Sequence, residues 1–190
     1  MTAVVITLVI TVITTHKVKK QMRSNNYRYN SELDSNESTS TNNMKIYSQY
    51  ESPAKDFMYG YHNVWYNGCE VIAVHNAKVL KGIDSNLSST IDDFHEKRAM
   101  LGIGICGTWG SNPYQIGRVL DKSGISYTRI ELDDINQPGI YIVSYWTREP
   151  FQSSLHTVTV NWSEEEFKIL NSKTGILPNE DQYICGYLIN

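Results

Sequence analysis

Trp65-Tyr66-Asn67-Gly68-Cys69-Glu70-Val71-Ile72-Ala73-Val74 decides the reading of this chain. The spacing predicts a buried helix with a cysteine on its first turn. Asn67 is a preferred N-cap residue, and Glu70 three positions on completes a capping-box pattern. Cys69 then stands at the second helical position, where orphan N–H groups and the positive end of the macrodipole favour a thiolate. A free thiol titrates near roughly 8.5, and helix N-termini or a neighbouring imidazolium lower it to about 3.5–7.5. This is a place for a nucleophile; the same residues also fit an inert buried cysteine behind a cap.

A partner lies far downstream. Leu155-His156-Thr157-Val158-Thr159-Val160-Asn161 alternates with the two-residue period of a strand. His156, Val158 and Val160 share the apolar face, and Thr157, Thr159 and Asn161 share the other. An inward histidine is ordinarily a satisfied core residue. With Cys69 available it becomes a candidate general base. After the polar turn of Trp162 to Glu166, Phe167-Lys168-Ile169-Leu170-Asn171 reads as the return strand of a hairpin. Asn171 at its end could orient the imidazole through its amide oxygen, or serve the turn Asn171-Ser172-Lys173-Thr174-Gly175.

Cysteine on a helix, histidine on a strand and asparagine after the next strand resemble a papain-like cysteine peptidase. The bacteriocin-leader-processing (double-glycine) peptidases and their stand-alone relatives are the most similar branch. The resemblance covers Tyr59 to Asn190 and rests on Asn67-Gly-Cys-Glu-Val-Ile-Ala-Val and Leu155-His-Thr-Val-Thr-Val. The stretch from Gly107 to Tyr127 is similar to that family's central helix and following strand. The resemblance implies a thiol hydrolase acting on a peptide or protein substrate, with no metal or cofactor. It implies Cys69 as nucleophile, His156 as base and Asn171 as orienting residue. Asn63, six positions before the cysteine, stands where the family carries an oxyanion-hole glutamine. Glu70 stands where relatives often have Trp or Gly.

Composition narrows the classes. The 190 residues suit one catalytic domain with an appendage, and a net charge of −3 argues against nucleic acid as a partner. Cys69, Cys106 and Cys185 are the three cysteines; none forms a Cys-x-x-Cys pair. Cys106 and Cys185 are either a disulfide or two thiols.

Residues 2–15 are uncharged and mostly β-branched, and Lys17, Lys19, Lys20 and Arg23 follow. About 20 apolar residues span a bilayer, so the expectation is a membrane anchor that continues N-terminally of residue 1. Residues 1–20 are thus read as anchor with basic flank, 21–48 as a Ser/Asn-rich flexible linker, and 49–190 as the catalytic domain. A tether of this kind suits a domain outside the cytoplasm. The positive-inside rule taken alone places it inside.

Helices are expected from Cys69 to Leu80, closed by Gly82, from Thr90 to Arg98, and from Pro113 to Gly124. Strands are expected at about 125–131, 139–146, 154–161, 166–171 and 182–189. Helices first and strands after make an α+β fold, a helical layer packed on a largely antiparallel sheet. Gly102-Ile-Gly104-Ile-Cys106-Gly107 fits the dinucleotide fingerprint in form only, because it follows a helix rather than a strand. His62 is a rival base, His75 and His95 are expected to be partly buried or surface positions, and Trp65 and Trp109 are candidate cleft aromatics. Two other classes fit the same residues: a binding module that keeps the fold without turnover, and an amide hydrolase or acyltransferase acting on cell-wall peptides.

Overall fold

Tyr141, Val143 and Tyr145 alternate with Ile140, Ile142 and Ser144, so both faces of their strand carry bulk to be buried. In the computed structural model this strand is the middle of the sheet. The structure describes residues 2–37, 44–97, 99, 110–149 and 152–190. The strands are β1 (Met58–Tyr59), β2 (His62–Asn63), β3 (Tyr127–Ile130), β4 (Gly139–Glu149), β5 (Gln152–Trp162), β6 (Phe167–Leu170) and β7 (Tyr183–Ile189). The last five form one antiparallel sheet in the order β3-β7-β4-β5-β6. The helices are α1 (Thr2–Glu37), α2 (Val64–Asn67), α3 (Cys69–Leu80), α4 (Leu87–Glu96) and α5 (Ile116–Lys122). The α+β architecture, with helices N-terminal and an antiparallel sheet C-terminal, is therefore the one the sequence implies.

Each face of the sheet has its own core. Ile142, Tyr187 and Ile189 pack with Val71, Ile72 and Val74 of α3 and with α4 and α5. Tyr141, Val143, Tyr145, Val158 and Val160 form a second cluster on the opposite face, closed by Ile169 and Leu177. The threonine face of β5 is not a solvent face. Thr157 and Thr159 are fully buried; Thr159 Oγ1 donates to the Ala73 carbonyl at 2.9 Å. Thr157 shares a 2.9 Å hydroxyl contact with Ser144. The cysteine helix thus docks on the threonines, and each buried hydroxyl finds a partner, as burial demands.

Boundaries differ where caps decide them. Leu87–Glu96 begins three residues before Thr90 because Asn86 accepts from the Ser89 amide. Arg98, read as part of its last turn, lies outside the described residues. Asn112 caps a short 3-10 turn that leads into α5. Gly82 closes α3 at φ 73°, the left-handed conformation expected after that helix.

The segment read as a flexible linker is helical from residue 21 to Glu37, and the reason lies in its asparagines. Asn26 and Asn30, four apart, share one helix face. Asn26 donates to the Gly60 carbonyl at 2.8 Å, and Asn30 donates to and accepts from Met58 at 2.9 and 2.8 Å. Their amides complete the backbone bonding of the β1–β2 hairpin. No helix among the described residues is long and apolar enough to cross a membrane.

Candidate active site

α3 begins at Cys69, but not behind the cap that the sequence suggests. Val64–Asn67 is itself a helical turn, so Asn67 cannot take the extended N-cap conformation, and Gly68 is the N-cap without a side-chain bond. Freed from the capping box, the Glu70 carboxylate turns to its neighbour. Cys69 Sγ donates to Glu70 Oε2 at 3.2 Å, and Sγ lies 3.9 Å from the Leu155 carbonyl. Both residues are buried, Glu70 almost completely.

The electrostatics follow from that burial. The Cys69 thiol is pushed well above its ordinary range, first by desolvation and then by the Glu70 carboxylate. The Thr157 backbone amide, aimed at the sulfur, acts the other way. The resting residue is a thiol, where the helix N-terminus alone predicts a thiolate. Burial also raises the Glu70 carboxyl to about 7, against bonds from its own amide, the Cys69 thiol and the Ser111 amide. Glu70 Oε1 has no hydrogen-bond partner among the described residues. Below it, Tyr59 and Ser111 share a 2.6 Å hydroxyl bond.

His156 stands on β5 between the two residues whose backbone meets the sulfur. Its Nε2 lies 2.8 Å from the Asn171 backbone carbonyl. A carbonyl only accepts, so Nε2 carries the proton and the lone pair of Nδ1 is the basic one. Tyr145 meets the imidazole edge-on at 5.7 Å, and Tyr50 is tilted against it at 6.3 Å. Desolvation lowers the imidazole's proton affinity; the Asn171 carbonyl raises it and the Lys173 charge lowers it further. The thiol's own bond is to Glu70, not to this ring.

Asn171 works through its backbone toward histidine, where the sequence reading gives that role to its amide oxygen. The side chain faces elsewhere. Oδ1 accepts from the Gln49 amide at 2.9 Å, and Nδ2 donates to Gln49 Oε1 at 3.0 Å and to the Thr157 carbonyl at 3.4 Å. The backbone sits at φ 63°, which asparagine tolerates better than most residues. That turn ends β6 at Leu170, so among the described residues β5 has no strand on its β6 side before Thr159. Cys69 and Asn171 occupy that free edge and bond to the backbone at 155–157.

Gln49 is the site residue that the sequence reading missed. It is buried, tied to Asn171 at both ends of its own residue, and donates through Nε2 to the Trp65 carbonyl at 3.3 Å. Asn76 of α3 holds Tyr47 on both sides at 2.9 and 2.8 Å and so lays this strip against the helix. The available signal was a lone glutamine between the tyrosines of Ile46-Tyr47-Ser48-Gln49-Tyr50. Asn63, the expected oxyanion donor, precedes α2 and makes no side-chain cap bond.

The remaining candidates divide. His62 stacks on Tyr66 at 4.6 Å, and Trp65 is half-exposed. His75 is fully buried, beyond the partly buried or surface position expected for it, while His95 is partly buried, as expected; desolvation takes both down to about 4. Cys185 is a free thiol that burial pushes up to about 11, which leaves it a poor nucleophile. Cys106, Trp109 and the Gly102–Gly107 run lie outside the described residues. Among the described residues no His/Cys/Asp/Glu group is arranged to hold a metal ion.

A cavity of about 440 Å³ opens beside His156, with Tyr50, Tyr145, Lys173 and Leu177 among its walls. No protein-family model and no curated protein matches the chain.

Proposed function

We propose that this chain is a cysteine peptidase of papain-like type, cleaving a peptide bond through an acyl-enzyme. One observation carries the reading. A cysteine at the start of a buried helix is seated on the backbone that flanks a histidine, and that histidine's Nε2–H is fixed by Asn171, leaving Nδ1 as base. The cavity on the histidine side offers room for a peptide.

In this mechanism substrate entry draws the Cys69 proton onto His156 Nδ1. The thiolate attacks the peptide carbonyl, and the oxyanion meets the Cys69 backbone N–H at the start of α3. His156 returns the proton to the leaving amine, and water drawn onto the same base hydrolyses the thioester. Asn171 holds the ring, and Gln49 holds Asn171. Gln49 also brings a side-chain amide to the segment before α3, a role the sequence suggested for Asn63. Membrane attachment through the N-terminal segment, with the domain outside the cytoplasm, is the setting we propose for it.

The second reading is a binding module without turnover. It is favoured by the Cys69–Glu70 bond, which holds the sulfur as a protonated donor to a carboxylate. The test is the pH dependence of Cys69 alkylation by iodoacetamide, with and without a library of peptide substrates, in wild type and His156→Ala. Peptide cleavage together with labelling that depends on His156 supports the peptidase. Labelling that rises only at high pH and is unchanged in His156→Ala, with no peptide cleaved, selects the binding module.

A further inference from the structure

We propose that the cavity beside His156 is a subsite for an acidic side chain of the peptide substrate, with Lys173 supplying the opposite charge. The proposal rests on the peptidase reading and names the substrate class for that site.

The chain carries 20 acidic residues against 17 Lys and Arg, yet among the described residues no Asp or Glu lines this cavity. Its cations among the described residues are Arg148 and Lys173, beside the ring of His156. Arg148 is already committed, with a 2.6 Å contact to Asp181. Lys173 has no carboxylate partner among the described residues. Its ammonium lies 5.0 Å from the centroid of the Tyr50 ring, the same ring that leans on His156. A cation held over an aromatic face is partly positioned before any anion arrives. Leu177 and Pro178 give an apolar wall for the methylenes of a glutamate.

The placement has a chemical consequence for the base. The Lys173 charge now lowers the proton affinity of His156. A substrate carboxylate paired with Lys173 would offset that charge, and His156 would gain proton affinity as the correct peptide binds. Substrate choice and activation of Cys69 would then be coupled through one lysine.

The test uses the full chain and N-acetylated, C-amidated pentapeptides in matched sets with Glu, Gln or Lys at one position, with binding measured by calorimetry at low salt. At one position the Glu peptide is expected to bind up to about fivefold tighter than its Gln match, the ceiling for an exposed ion pair. Lys173→Ala is expected to bring that ratio to about one, and Lys173→Glu to favour the Lys peptide. Lys173 is exposed, so neither change threatens the fold. Equal binding at every position overturns the subsite. So does a Glu preference that survives Lys173→Glu, or binding that requires a free C-terminal carboxylate instead. A charge preference with Cys69 labelling indifferent to His156→Ala would leave the subsite standing and remove the peptidase; cleavage without charge preference would do the reverse.

Discussion

His156 Nε2 is held by the backbone carbonyl of Asn171, 2.8 Å away, while the Asn171 amide is spent on Gln49 and Thr157. Orientation of the imidazole therefore depends on the shape of a turn rather than on the identity of a polar group. A glycine keeps that shape at φ 63°, and an alanine opposes it.

Asn171→Gly is expected to leave the His156 tautomer unchanged, read from its ring nitrogen chemical shifts, while lowering stability. Three side-chain bonds disappear, at about 1 kcal/mol each. Asn171→Ala adds a left-handed penalty of about 1–2 kcal/mol. The ordering to be checked by thermal melts is wild type above Gly above Ala. Alanine at least as stable as glycine would show that the turn does not hold this conformation.

Glu70→Gln removes the second cause of the raised Cys69 pKa and leaves the first, burial, in place. The midpoint of Cys69 alkylation against pH is expected to move down without reaching that of a free thiol. A midpoint unmoved or moved up would mean that the Glu70 charge does not bear on the sulfur.

Stability should rise with pH and level off near neutrality. Between 4.5 and about 7 the folded chain keeps a proton on Glu70 that the unfolded chain has released, so rising pH favours unfolding, by about 3 kcal/mol in all. His75 and His95 act oppositely. Each stays neutral down to about 4 when folded and takes a proton below 6.5 when unfolded, so falling pH favours unfolding by about 3 kcal/mol apiece. Two histidines outweigh one glutamate until about pH 7, where the remaining terms cancel. Melting temperature is expected to climb from pH 4 and to level off near 7. Glu70→Gln should steepen the climb between pH 5 and 7; an unchanged slope in that variant would show that Glu70 does not hold its proton in the folded chain.

Gly68→Ala tests the junction of α2 and α3. A Cβ there would stand 2.6 Å from Val64 Cγ1 and 2.8 Å from the Val64 carbonyl oxygen. Both helical turns are close-packed, so the expected loss is about 1–3 kcal/mol, the ordinary cost of overpacking, with Cys69 displaced. Denaturant melts and Cys69 labelling should change together. Stability falling alone would separate the junction from the placement of the sulfur.

Periodicity made the sheet and the cysteine helix legible. Period-two runs at 139–146 and 154–161 lie inside longer strands, and α3 has the predicted ends. What failed were inferences that depended on what a side chain would meet. Asn67 looked like a cap because the helical turn of Val64–Asn67 before it has too few residues to show a period. The burial of Thr157 and Thr159 under α3 was not legible, because polarity does not reveal a helix carbonyl waiting opposite. The Asn-rich segment looked like coil because composition carries no sign of the Met58 and Gly60 backbone groups that Asn26 and Asn30 satisfy. Gln49 was hidden for a simpler reason: its bonds to Asn171 join residues 122 positions apart.

The early end of β6 has a wider meaning. Had the ladder continued past Leu170 in its present register, Asn171 would face Val158 and Lys173 would face His156. The backbone groups that now receive the thiol and the asparagine amide would have been consumed as ordinary strand pairs. The candidate site is thus assembled from what an unfinished sheet leaves over. A single residue in a left-handed turn separates a reactive edge from an inert one, and a β-branched residue at 171, by letting the strand run on, would close the site without touching either Cys69 or His156.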